Sequence, residues 1–116
     1  RGGMAEVVGE YTVMCLFSRN WVLRDAALQK IEKMVEEEDF KGDAKENFRT
    51  HIRVIGKLLK DKVANVFNGA LHLLSTVVQK YAPELGPKDT QSGVAELIPP
   101  LLEKMGDTNA RLKDAA

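Results

Sequence analysis

Cys15, His51 and His72 are the side chains best suited to nucleophilic or metal chemistry, and their spacing argues against both. A structural zinc site draws on four Cys or His ligands in short paired spacings, which one cysteine and two histidines do not supply. Cys15 falls in register with Val8 and Tyr11 on an apolar helical stripe, where a free thiol behaves as a small packed hydrophobe. It is expected to be buried and unreactive. His51 and His72 fall on different helical patterns and read as ordinary surface or groove histidines rather than as ligands. Ser18, Ser75 and Ser92 have neither an elbow motif nor an obvious base beside them, and no glycine-rich phosphate cradle occurs. The chain reads as a non-enzyme that needs no cofactor and no metal.

Recognition chemistry has more to rest on. Trp21 stands among polar residues in Ser18-Arg19-Asn20-Trp21-Val22-Leu23-Arg24, and Trp and Arg are the residue types enriched at binding hot spots. Weaker copies of this stretch return twice: Asp61-Lys62-Val63-Ala64-Asn65 lies over Ser18 to Val22, and Gly106-Asp107-Thr108-Asn109-Ala110-Arg111-Leu112-Lys113 follows at a similar interval. The period falls within the roughly 40 to 47 residues of a HEAT or armadillo repeat.

That period sets the elements that must carry these residues. The first helical stripe is Met4, Val7, Val8, Tyr11, Met14 and Cys15, and Ser18 or Asn20 then caps a second helix with Leu23, Ala27, Ile31, Met34 and Val35 inward. Asp43, with Glu46 three residues on, resembles a capping box and opens a third helix whose stripe is Ala44, Phe48, Ile52, Ile55, Leu58 and Leu59. A fourth follows Lys60-Asp61-Lys62 with Val63, Val66, Phe67, Ala70, Leu73, Leu74, Val77 and Tyr81, and is expected to end at Pro83. After a loop over 84–89, Thr90 or Ser92 starts a fifth helix, with a kink at Pro99-Pro100 and Val94, Leu97, Ile98, Leu101, Leu102 and Met105 inside. Gly106 should end it, with Asp107 or Thr108 capping a sixth. The fold class is all-α: an α-solenoid of about six helices in HEAT-like hairpins, over approximately 4–38, 43–82 and 90–116. Residues 1–3 read as an added remnant, and the third repeat as a truncated one whose open face invites self-association.

Seventeen basic and seventeen acidic side chains cancel, so no overall field favours nucleic acid or an anionic membrane as a partner. A single cysteine excludes an internal disulfide and suits a reducing compartment, the cytoplasm. No apolar run approaches the roughly 18 residues of a spanning helix. Charge is instead sorted by edge. The turns inside hairpins hold Arg19, Arg24, Lys60, Lys62, Arg111 and Lys113, while the connections between hairpins hold Glu36, Glu37, Glu38, Asp39, Asp43, Glu84 and Asp89. Trp21 lies on the basic edge, either as the lid of its hairpin or as an exposed anchor. It is two positions from the inward Leu23, about 200° around a helix, which turns it toward solvent.

These turns resemble those of a TOG domain, a HEAT-repeat module that binds tubulin through the turns joining helices A and B. The resemblance covers the whole chain but about half of such a domain's usual six repeats, and the third turn is most similar to the TOG domains of centrosomal and ciliary-tip proteins. It implies tubulin as the partner, and localisation at the cytoskeleton, centrosome, centriole or ciliary tip. It also implies a tubulin-binding row of Trp21 with Arg19, then Lys62, Val63 and Asn65, then Asn109, Arg111 and Lys113, with Arg24 free to brace the turn internally. Lys62-Val63 departs from the family's more polar pair, and the later turns are missing. A generic helical scaffold that binds a peptide on its helical face is the competing reading. A nucleic-acid-binding enzyme is disfavoured by the neutral charge balance.

Overall fold

The computed structural model describes residues 3–37, 40 and 42–115, with side chains described as far as Thr108. Seven helices follow one another among the described residues: α1 (Met4–Val8), α2 (Glu10–Leu16), α3 (Trp21–Glu36), α4 (Ala44–Leu58), α5 (Ala64–Leu85), α6 (Pro87–Ala95) and α7 (Ile98–Ala115), with no strand between them. They form two layers. With α1 folded onto α2, α2 packs on α3, and α4 on α5, as hairpins; α3 then packs on α5 in one layer, while α4 lies between α1 and α6 in the other. The radius of gyration of 14.6 Å exceeds the roughly 13 Å of a compact chain this long, as stacking along one axis requires. The expected solenoid of helical hairpins is the fold observed.

The core is the meeting of the stripes read from the sequence. Ala27, Leu28, Ile31 and Val35 of α3 face Val66, Ala70, Leu73 and Val77 of α5, and Phe48, Ile52, Ile55 and Leu58 of α4 close the other side; all are buried. Two of the expected caps form, whereas the expected loop over 84–89 shrinks to Gly86 and α6 starts at Pro87, so that Thr90 lies inside it with its hydroxyl on the Gly86 carbonyl at 2.7 Å. The Asn20 Oδ1 accepts the Val22 N–H at 3.0 Å, and the Asp43 Oδ2 accepts the Glu46 N–H at 3.3 Å, which satisfies donors that a first helical turn leaves unpaired.

Helix boundaries differ from expectation in ways that move side chains. Gly9, at φ 94°, divides the first helix into α1 and α2; that left-handed geometry is open to glycine at little cost. The break resets the stripe, so Thr12, Val13, Cys15 and Leu16 are buried while Tyr11, at 71% exposed, and Met14 face water. Pro83 does not end α5, which runs on to Leu85 and stops at Gly86, φ 85°. Within one turn of a helix end a proline removes only one bond from the ladder. The α6–α7 break falls at Glu96 and Leu97, so Pro99 and Pro100 occupy the first turn of α7, where the absent N–H would have had no helical partner.

The largest difference is at 106–109. No turn forms there, and α7 is continuous from Ile98 to Ala115. The Thr108 hydroxyl bonds the Lys104 carbonyl at 3.0 Å, one turn back along the same helix, instead of capping a new one. The third unit is therefore α6 followed by α7, and the third polar stretch lies along a helix.

Candidate protein-binding edge

The first turn, Phe17 to Asn20, is tied by the Ser18 hydroxyl, which accepts the Asn20 N–H at 3.0 Å, and by the Asn20 cap. This hands the chain into α3 with three large apolar side chains in its opening turn. Trp21 is 39% exposed, Val22 54% and Leu23 38%. Trp21 is thus part of the surface, although not for the reason its angular offset gives, since that offset is counted from an inward Leu23. Leu23, expected inward, is not inward either: burial on α3 begins at Ala27 and Leu28, and the first turn of the helix stands clear of the packed part. Arg19 is exposed beside it.

The second turn, Leu59 to Val63, is built around Asp61. Its Oδ1 accepts the Val63 N–H at 3.0 Å, which fixes the turn just before α5, a helix whose N-terminus has no side-chain cap. The same carboxylate receives Arg24 of α3 in a two-pronged bridge, Nε to Oδ2 at 2.7 Å and Nη2 to Oδ1 at 3.1 Å. Arg24 Nη1 also donates to the Ser18 carbonyl at 2.8 Å. One guanidinium therefore holds both turns, the fork geometry that suits arginine and not lysine to such a site. From α7, Lys104 Nζ donates to the Asp61 carbonyl at 3.2 Å and lies 5.1 Å from the centre of the Phe67 ring.

Electrostatics follow from that clamp. Burial alone would raise the Asp61 pKa, but the Arg24 hydrogen bond, the Val63 N–H and the charges of Arg24 and Lys57 together hold it below the usual carboxylate value. The bond to Asp61 raises Arg24, against a smaller opposing effect of burial. Lys57 is lowered by burial and then by the Arg24 charge, and its ammonium sits 4.6 Å from the centre of the Phe17 ring.

Arg24 thus ties the first turn, which carries Arg19 and leads into Trp21, to the second, which carries Lys62 and Val63 and leads into Asn65. Lys62 and Asn65 are exposed, while Val63 is half-buried against the core. Lys62 lines an apolar hollow of about 380 Å³ with Phe67, Leu101 and Met105. Asn109, Arg111 and Lys113 do not sit in a third turn; their backbone is part of α7, and their side chains lie outside the described residues. On the opposite edge Glu36, Glu37, Asp43 and Glu84 are exposed, while Glu38, Asp39 and Lys41 lie outside the described residues.

Sequence reasoning left Arg24 as a possible internal brace but missed its partner. The signal was there in the repeat: Arg24 and Asp61 flank corresponding turns one repeat apart, with opposite charge. His51 needs outright correction. It is buried in the core, with its ring 4.6 Å from that of Phe40 and 5.7 Å from that of Tyr81, and neither ring nitrogen has a hydrogen-bond partner. Ile52 and Ile55 share its helix face closely enough that α4 cannot bury them and expose it. His72 is at the surface, as read, with Nδ1 2.6 Å from Glu32 Oε2. Cys15 is buried, and no group of three or more His, Cys, Asp or Glu side chains among the described residues is placed to hold a metal. No helix is long and apolar enough among them to cross a membrane.

Comparison with known proteins gives a consistent set of relatives. A family model described as "Centrosomal protein CEP104, TOG domain" matches residues 2–116. The mouse "Centrosomal protein of 104 kDa" is 34% identical over 113 residues, covering 93% of this chain and 12% of that protein. The human protein of the same name is 32% identical over 116 residues, 96% of this chain and again 12% of its own length. A solved structure titled "CEP104 TOG domain" superposes with a TM-score of 0.75 at 30% identity, covering 97% of this chain and 46% of that one. The chain thus spans about an eighth of the curated relatives it matches and just under half of the solved domain.

Proposed function

The chain belongs to the TOG-domain family of centrosomal protein CEP104, and on that premise we propose that it binds the αβ-tubulin dimer, without chemistry of its own, along the edge formed by its first two hairpin turns. The family is a non-catalytic tubulin-binding scaffold family, which supports the general role in microtubule biology; the turn-borne site is the finer reading. The observation that carries it is the exposure of Trp21, Val22 and Leu23 together at the mouth of the first turn. An apolar tip of this kind, on the same edge as the exposed Lys62 and braced from behind by Arg24 and Asp61, is preorganised for a partner with an apolar patch set in acidic surroundings. Arg19, Val63 and Asn65 frame that tip. Asn109, Arg111 and Lys113 extend the proposed contact along α7 instead of through a third turn. Its relatives are named as centrosomal proteins, which supports a place for this chain at the centrosome and the cytoskeleton.

The test is tubulin affinity of Trp21→Ala and Lys62→Ala, each checked for folding by circular dichroism and thermal melting. Trp21→Ala should weaken binding by about 2 kcal/mol or more, as the truncation of a hot-spot aromatic does. Lys62→Ala should weaken it less, and chiefly at low salt, because an exposed charge mostly speeds encounter. A folded Trp21→Ala variant that binds tubulin as the parent does would leave the edge without its anchor and sink the proposal.

A further inference from the structure

Between α3 and α5 runs a groove of about 510 Å³ that is lined by Asp25, Gln29 and Glu32 on one wall and Asn65, Asn68 and His72 on the other, with Gly69 at its floor. Each wall is one ladder at helical spacing. From Asp25 to Glu32, and likewise from Asn65 to His72, the rise of the helix is about 10 Å, the length of roughly three extended residues. The floor is shallow because the two helices approach closely there: a Cβ added to Gly69 would lie 3.0 Å from both methyl groups of Leu28.

The walls hold polar groups that the fold does not use. Gln29, Asn65 and Asn68 are exposed and make no side-chain hydrogen bond among the described residues. Glu32 is pinned through one oxygen only: Oε2 meets His72 Nδ1 at 2.6 Å and the Thr76 hydroxyl at 3.1 Å. This leaves Oε1 outside both bonds. A side-chain amide offers two donors and a two-lone-pair acceptor, the complement of a peptide unit's C=O and N–H. Successive amides along a groove therefore suit an extended backbone, whose polar groups are not spent internally. The charged residues lining the groove are Asp25 and Glu32, both carboxylates, with no lysine or arginine among them. Such a wall repels phosphates and favours a cationic side chain.

We propose that the α3–α5 groove is a docking site for an extended peptide segment bearing lysine or arginine, with Gln29, Asn65 and Asn68 pairing with its backbone and Asp25 with its cation, while the buried Glu32, held by His72 and Thr76, adds negative charge beneath. The site adjoins the tubulin edge and shares Asn65 with it, while Asp25, Gln29 and Asn68 belong to the groove alone. A chain with both would hold tubulin on its edge and a second, basic partner on its face.

The probes are an acetylated and amidated pentapeptide of alternating lysine and valine and its glutamate-valine counterpart. Titrated into the isotope-labelled protein, the lysine peptide should give saturable shifts of the Gln29 and Asn68 side-chain amides and of the Gly69 backbone amide, and the glutamate peptide should not. Asp25→Asn and Asn68→Ala, both surface substitutions, should each weaken the lysine peptide at least about fivefold, and Asn68→Ala should leave tubulin affinity unchanged. Equal shifts with both peptides, shifts spread away from the groove, or unaltered affinity in both variants would overturn the proposal. So would a loss of tubulin binding in Asn68→Ala as large as in Trp21→Ala, since the groove would then be part of the edge. Failure of Trp21→Ala to affect tubulin leaves the peptide titration untouched, so the two readings fall separately.

Discussion

His51 shows how much one buried ring can control. Burial lowers its pKa from 6.5 to about 4, because an imidazolium among Phe40, Tyr81 and aliphatic side chains has no solvent and no counter-charge in contact. Between those two values the unfolded chain takes up a proton that the folded chain refuses. The stability that a neutral His51 permits is therefore complete above about pH 6.5 and is lost as pH falls toward about 4, by roughly 3 kcal/mol over the whole window. His51→Leu removes both the proton linkage and an N–H buried without an acceptor, so it should raise stability at neutral pH by about 1 to 2 kcal/mol and flatten its pH dependence. Urea unfolding at pH 7.5 and pH 5 for both proteins checks this; an equal loss at pH 5 in parent and variant would show that some other group titrates.

At the level of elements, the two hairpins are joined by packing of α3 on α5, by the bonds of Glu32 to His72 and Thr76 and, at the edge, by the Arg24–Asp61 ion pair. The side chains of Arg24 and Asp61 are 15% and 6% exposed, and each has been taken from water into a site built for the other. Asp61→Asn leaves the guanidinium half-buried without its charge partner, which should cost about 1 to 3 kcal/mol in stability. Because the folded pKa of Asp61 is lowered, the contribution of the bridge is present above the ordinary carboxylate pKa and disappears as pH falls through the lowered one. A double-mutant cycle with Arg24→Ala and Asp61→Ala should give a coupling of at least about 0.5 kcal/mol. Purely additive losses would mean that the bridge is a spectator to the packing. The same variants should loosen the placement of Trp21 relative to Lys62, so tubulin binding should fall even where the fold survives.

For the whole molecule, burial is uneven from one end of the stack to the other. In the middle of the stack α4 packs against α1, α5 and α6, and α5 against α3, α4 and α6, whereas α7 leaves Ile98, Leu102 and Met105 exposed as an apolar stripe. In a stacked array stability is close to a sum of unit and interface terms, so an element with fewer buried contacts opens first. Hydrogen exchange should show α7 losing protection well before α4 and α5. Sedimentation at increasing concentration should show that stripe drawing chains together. Uniform protection from α3 to α7 in a strict monomer would contradict the uneven ledger of burial.

The sequence by itself determined the all-helical solenoid class, the inward stripes of α4 and α5 and of α3 from Ala27 on, the caps at Asn20 and Asp43, and the family. Each of these depends on residues within one helix or one turn, where periodicity and capping chemistry act locally. What the tertiary structure decided is where two local tendencies competed or where the partner came from another repeat. Gly9 outweighed a continuous apolar pattern; Thr108, which reads as a cap, spent its hydroxyl on the turn before it and let α7 run on. His51 looked polar in sequence and is buried because its neighbours on α4 have to be. Arg24 found Asp61 only when two turns distant in the chain were stacked side by side. The groove between α3 and α5 arose in the same way: its two ladders are plain in each helix, and only the packing of Leu28 against Gly69 sets them face to face.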